Sequence, residues 1–276
     1  MQCDTSKFDQ KLLGFWCAAK DIYNNVVEKA RSEEVSKLDS VKIASFFVVH
    51  SFRFAEASLL LAANDDILPA VALMRPAIEA QARANHLISF NGQERENKSA
   101  ELFRLSEFSG KRFANLIRKS IRSAANIQNC PPNMRQMINQ SVAEPLAESE
   151  VLRIERVSLE GKWKYGAVIE KQFFGDQKRN LRTPFQQIQQ TLDVVYNLGS
   201  FGLHPDLMSL RTEKMLSANE IMDYAAAVAV CVVHCYLVAI GRQNDPQFNQ
   251  LVTEYGDYVR TKVKEKRDRL TRQGEG

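Results

Sequence analysis

Residues 41–88 read VKIASFFVVHSFRFAEASLLLAANDDILPAVALMRPAIEAQARANHLI. Apolar residues recur every three and four positions on both sides of Asn64-Asp65-Asp66, which is the periodicity of a buried helix face and not of a strand. The short polar link predicts two antiparallel helices, over 39–63 and 67–90, joined as a hairpin.

The same period extends outward. Phe8, Leu12, Phe15, Trp16, Ala19, Ile22, Tyr23, Val26 and Ala30 predict a first helix. A fourth is expected over 98–125. Cys130-Pro131-Pro132 then breaks the chain, and 133–157, interrupted by Pro145, is expected to be helical. Gly161, Trp163, Gly166 and Gly175 among charges predict an irregular stretch over 158–182. Thr183 and Pro184 begin a helix to about residue 198. Ser217 and Glu220 form a capping box for a helix ending near Gly241, and Asp245-Pro246 starts the last one. The fold class is therefore all-α, a multi-helix bundle of residues 1–242 around an antiparallel central hairpin, followed by a C-terminal helix with a basic tail over 243–276.

With 276 residues, 45% hydrophobic and 25% charged, the chain can bury a core of ordinary size. Eight prolines and twelve glycines, spread along the chain, exclude collagenous and low-complexity classes. The opening MQCDTSKFDQ predicts neither a signal nor a transit peptide, and hence a cytoplasmic location. Cys3, Cys17, Cys130, Cys231 and Cys235 lack CxxC spacing and suit free thiols in a reducing compartment. Tyr224 to Gly241 is uncharged over eighteen residues. Its alanine content and His234 favour a buried core helix over a membrane span. Cys231, His234 and Cys235 share a face without a fourth ligand, so no metal or other cofactor is expected.

The net charge of +4 is unevenly placed. Arg260, Lys262, Lys264, Lys266, Arg267, Arg269 and Arg272 face only Glu265 and Asp268 in the tail. Residues 108–143 carry six basic side chains and no acid. A solvated helix accounts for the tail; its sharper reading is contact with nucleic-acid phosphates through Lys262, Lys264, Lys266, Arg267 and Arg269. Few aromatic residues follow Tyr258, so such binding would follow the backbone and not the bases.

Charge inside the two hairpin helices is the informative feature. His50, Arg53 and Glu56 step by three, and Arg75, Glu79 and Arg83 by four. A turn centred near residue 66 sets Glu56 beside Arg75 and Arg53 beside Glu79, giving two cross-helix ion pairs. Such charges are costly to bury and seldom serve stability alone, so they fit either a register-fixing network or a site. Pro76 frees the carbonyl of Ala72 next to Arg75. Tyr196, Ser200 and His204 recur every four residues in YNLGSFGLHPD, and His204 in its Pro-containing turn suits proton transfer.

The pairing of LMRPAIEAQARANHL with the distant VYNLGSFGLHP resembles a group of bacterial all-helical domains of unknown function. Their Arg-x-x-x-Glu helix precedes a Tyr-x-x-x-Ser-x-x-x-His-Pro segment, matched here by Arg75 and Glu79 and by Tyr196, Ser200, His204 and Pro205. The resemblance spans about 41–242 and implies a helical fold with a polar centre. These domains are also distantly similar to the HEPN superfamily, many of which cut RNA in toxin and antiviral systems. The chain departs from the HEPN hallmark, because no histidine follows an arginine by four to six residues.

The expectation is a helical effector, in phage defence or stress, that binds or cleaves a nucleic-acid or other phosphate-containing substrate. Arg75, Glu79 and His204 would act catalytically, with Arg53, Glu56, Tyr196 and Ser200 binding substrate. The alternative is a non-catalytic adaptor docking a protein partner. Self-association is a further partner class; a membrane is not expected.

Overall fold

The computed structural model describes residues 5–30, 33–125, 131–142, 148–174, 192, 196 and 216–274. Among them are nine α-helices and no strand: α1 (Gln10–Ala30), α2 (Asp39–Ala63), α3 (Ile67–Ile88), α4 (Gly92–Ala125), α5 (Pro132–Ser141), α6 (Glu150–Trp163), α7 (Tyr165–Phe174), α8 (Ala218–Ala239) and α9 (Pro246–Gly274). The class is all-α. The described chain forms two compact units, residues 1–96 with 168–276 and residues 97–167. The division thus falls at 96/97 and 167/168, and α9 belongs to the first unit, where Tyr255 and Tyr258 meet Phe15 edge-on with ring centroids 5.3 and 5.7 Å away.

In the first unit α8 is the centre, touching α1, α2 and α3. Its residues from Ala225 to Val233 are buried on every side, as befits a helix apolar all round. Both α2 and α8 are long and apolar enough to cross a bilayer; 78% of the most apolar window of α8 is buried inside the protein. The capping box forms as expected, Glu220 N–H donating to Ser217 Oγ and Ser217 N–H to Glu220 Oε2.

The hairpin turn is a Schellman motif. Asp65 adopts φ +65°, and the amides of Asp66 and Asp65 donate to Leu61 O and Ala62 O. Register then follows from two buried serines, Ser58 Oγ donating to Ala70 O at 2.7 Å and Ser51 Oγ to Ala77 O at 3.1 Å. The bonding residues step by seven on both helices, so the axis of the hairpin lies at residue 64 and the same step sets Ala44 level with Ala84. Small side chains let the backbones approach closely along this seam. Gln81 on α3 is fully buried with neither amide atom hydrogen-bonded, a polar group that costs stability.

Two expectations about the middle of the chain are corrected. Helix α4 begins at Gly92 and not near 98. Residues 158–174 form two helices that meet at an extended Lys164 instead of an irregular stretch, because Leu159, Trp163, Tyr165 and Val168 are buried and their packing outweighs the weak helix preference of Gly161 and Gly166. Nothing lies within 4 Å of a Cβ built at either glycine. The helix expected over 184–198 is described only at Leu192 and Tyr196, both helical.

At one end of α8, burial pushes the Asp223 carboxyl above its ordinary value; the Tyr255 hydroxyl and Lys262 oppose the shift, and Asp9 and Glu220 add to it. A raised carboxyl favours folding below the unfolded value of 3.8 and loses that contribution as pH rises through the folded value. Asp223→Asn, which keeps an acceptor for Tyr255, is therefore expected to raise the melting temperature at pH 7, roughly 2–4 °C for each kcal/mol recovered. Melts repeated near pH 3 should show the difference vanish; a difference independent of pH would refute the assignment.

Candidate functional site

Three of the expected site residues converge. Arg75 Nη2 donates to the Tyr196 hydroxyl at 2.9 Å, and that hydroxyl donates to Glu79 Oε1 at 3.1 Å. Arg75 Nε lies 3.4 Å from the same carboxylate oxygen, which closes the ring. The guanidinium also lies over the Tyr196 ring, 4.8 Å from its centroid. Arg75 and Glu79 are one helical turn apart, so α3 sets their spacing, and Pro76 between them leaves the helix continuous from Ile67 to Ile88.

The expected cross-helix pairs do not form. Glu56 is paired with Lys20 of α1, and Arg53 is exposed. The cause is the hairpin register: with its axis at 64 instead of 66, Arg53 lies level with Arg75, and Glu56 turns towards α1. The other oxygen of Glu79 takes Arg83 Nη2 at 3.6 Å. Arg83 is the member that the sequence stripe contained but the expected pairing omitted. Side-chain exposures of 30%, 25% and 33% for Arg75, Glu79 and Arg83 leave the cluster open to water.

His50 completes the surroundings. Its ring stacks with Phe46 at 5.6 Å and tilts against Phe54 at 4.6 Å. Burial lowers its pKa, Arg83 and Arg53 lower it further, and Glu79 opposes them. Desolvation and the Glu79 charge together hold the Tyr196 hydroxyl above its ordinary value. Arg75 and Arg83 thus meet the two oxygens of one carboxylate, one from each side along α3. Ser200 and His204 lie outside the described residues.

In the tail, α9 carries Lys262 and Lys264 on exposed surface. Lys262 lies 3.9 Å from Asp9 and 5.4 Å from the Tyr258 ring centroid. Lys266, Arg267 and Arg269 fall in the same helix, and their side chains lie outside the described set. Cys17, Cys231 and Cys235 are free. Cys235 Sγ donates to Asn85 Oδ1 at 2.8 Å in the core, and burial pushes its thiol pKa well up, which leaves little thiolate to react. No group of three or more metal-ligating side chains occurs among the described residues.

No protein-family model matches the chain, and comparisons with curated proteins and with solved structures likewise give no match.

Proposed function

We propose that the Arg75–Glu79–Arg83–Tyr196 cluster binds a phosphate group of a nucleic-acid or other phosphate-containing substrate. The observation that carries this reading is the convergence of two guanidiniums and a phenol hydroxyl on Glu79 at a water-open position. Arg75 and Arg83, one turn to either side of Glu79, present forked N–H donors whose geometry matches the oxygens of a phosphate dianion. In this reading Arg75 neutralises phosphate charge, Glu79 and Tyr196 hold its guanidinium in place, and His204 moves a proton. The setting, a helical effector of phage defence or stress acting in the cytoplasm, rests on the resemblance of the two motifs; the basic tail would add backbone contacts.

His50 gives a readout that needs no turnover. Because burial, and beside it the charges of Arg83 and Arg53, hold its pKa down, added inorganic phosphate that offsets those charges should raise it, followed by NMR and assigned with His50→Gln. Arg83→Ala should raise the pKa without phosphate and remove the response. A His50 titration indifferent to phosphate would overturn the reading. The second reading, a non-catalytic adaptor, is favoured by an exposed apolar face on α4. His204→Ala separates the two: it abolishes turnover in the first and leaves partner binding intact in the second.

A further inference from the structure

The charged cluster of α3 has an aromatic neighbour on α2. The register that sets Ser58 against Ala70 and Ser51 against Ala77 also sets Phe46 level with Ala82, His50 with Ile78 and Arg53 with Arg75. The charges of Arg83, Glu79 and Arg53 all act on the His50 ring, so these side chains share one side of the hairpin. Phe46 stacks on that imidazole, with centroids 5.6 Å apart and planes 28° from parallel, and is still 61% exposed. A lone exposed phenyl ring is common on protein surfaces. What distinguishes this one is the cation that accompanies it.

Arg53 follows Phe46 by seven residues, two turns along the same side of α2 and about 10 Å at ~1.5 Å per residue. It is exposed and makes no ion pair among the described residues. We propose that this face holds one nucleotide unit, with its phosphate between Arg53 and Arg75 and its base stacked on the exposed ring of Phe46. The inference rests on the phosphate reading above and names the substrate class of that site.

The arrangement selects among phosphate-bearing ligands. Inorganic phosphate or a sugar phosphate reaches the guanidiniums and leaves the ring uncovered. A phosphorylated phenol carries its phosphate directly on the ring and spans less than the two turns between Phe46 and Arg53. A nucleotide sets a sugar between a flat base and its phosphate, which supplies that span. Stacking on an aromatic ring accepts any base, because every base has a π-face, so the site selects for a base without reading its identity. A free nucleotide and a unit of single-stranded nucleic acid present this same chemistry.

Calorimetric titration of the full chain with adenosine monophosphate, ribose 5-phosphate and phosphotyrosine tests it. Adenosine monophosphate is expected to bind about tenfold tighter than ribose 5-phosphate, the order of one base stacked on an aromatic ring. Phe46→Ala should cancel that difference while ribose 5-phosphate binding and, since the ring is exposed, the melting temperature stay unchanged; Phe46→Trp should restore it. Arg53→Gln should weaken both ligands alike. Equal binding of the two, or a difference that survives Phe46→Ala, overturns the base subsite and leaves the phosphate reading standing. Adenosine monophosphate that binds no better than adenosine, with Arg53→Gln silent, overturns both. Phosphotyrosine bound as tightly as the nucleotide assigns the ring to a phosphorylated peptide and also overturns the proposal. An adenylate tetramer separates the two sources: tighter binding than the mononucleotide supports a strand, and equal binding supports a free nucleotide.

Discussion

Trp163→Ala is expected to unfold residues 97–167. The indole is 1% exposed and is the largest fully buried side chain of that unit. Its Nε1 donates to Glu101 Oε2 at 3.1 Å. Around Glu101, burial raises the carboxyl pKa, and Lys98, Trp163 and Lys162 more than offset it, holding it below its ordinary value. Removing a buried tryptophan costs about 3–5 kcal/mol, and a unit of about 70 residues has a stability of only roughly 4–10 kcal/mol. Among the described residues of this unit the other buried apolar side chains are Phe108, Leu159 and Tyr165, a small set over which to spread the loss. Hydrogen exchange read by mass spectrometry should show protection lost over 97–167. Protection equal to that of the parent chain would refute this account of the unit's core.

Ala77→Leu should be the most damaging small change in the hairpin. Ala77 is fully buried, and its carbonyl accepts from Ser51 Oγ. A leucine there must push α2 from α3, which also disturbs their shared packing on α8; overpacking of this kind costs about 1–3 kcal/mol or more. Ser51→Ala, which removes only the hydrogen bond, is expected to cost about 1 kcal/mol. Urea titrations that rank the two substitutions in the reverse order would show that close approach is not what sets the register.

The hairpin and its limits were legible for a physical reason. Apolar residues at a period of 3.6 stop abruptly at Asn64-Asp65-Asp66, and α2 ends at Ala63 as expected. Register was not legible from charge, because opposite signs can be matched at several offsets, and the offset that paired Glu56 with Arg75 was not the one adopted. The decisive signal was quieter: Ser51 and Ser58 against Ala70, Ala77 and Ala84, small residues at a step of seven on both helices. In the site, Arg75 and Glu79 were legible through their four-residue spacing, and Tyr196 through its position in a polar repeat. Arg83 and His50 were harder to assign, since their roles depend on which face of α2 meets α3. The helices that hold Gly161 and Gly166 were hidden because propensity is local and the burial of Trp163 is not.

The position of α8 has a consequence during synthesis. Its three neighbours, α1 to α3, are complete by residue 88, while α8 starts at residue 218. At about 5–20 residues per second, the ribosome delivers those intervening residues over roughly ten seconds. For that interval the nascent hairpin must remain in water without the helix that later fills its middle, which makes it a client for chaperones that shield apolar surface. A message that pauses translation before residue 218 would lengthen the vulnerable period and favour aggregation of an otherwise stable protein.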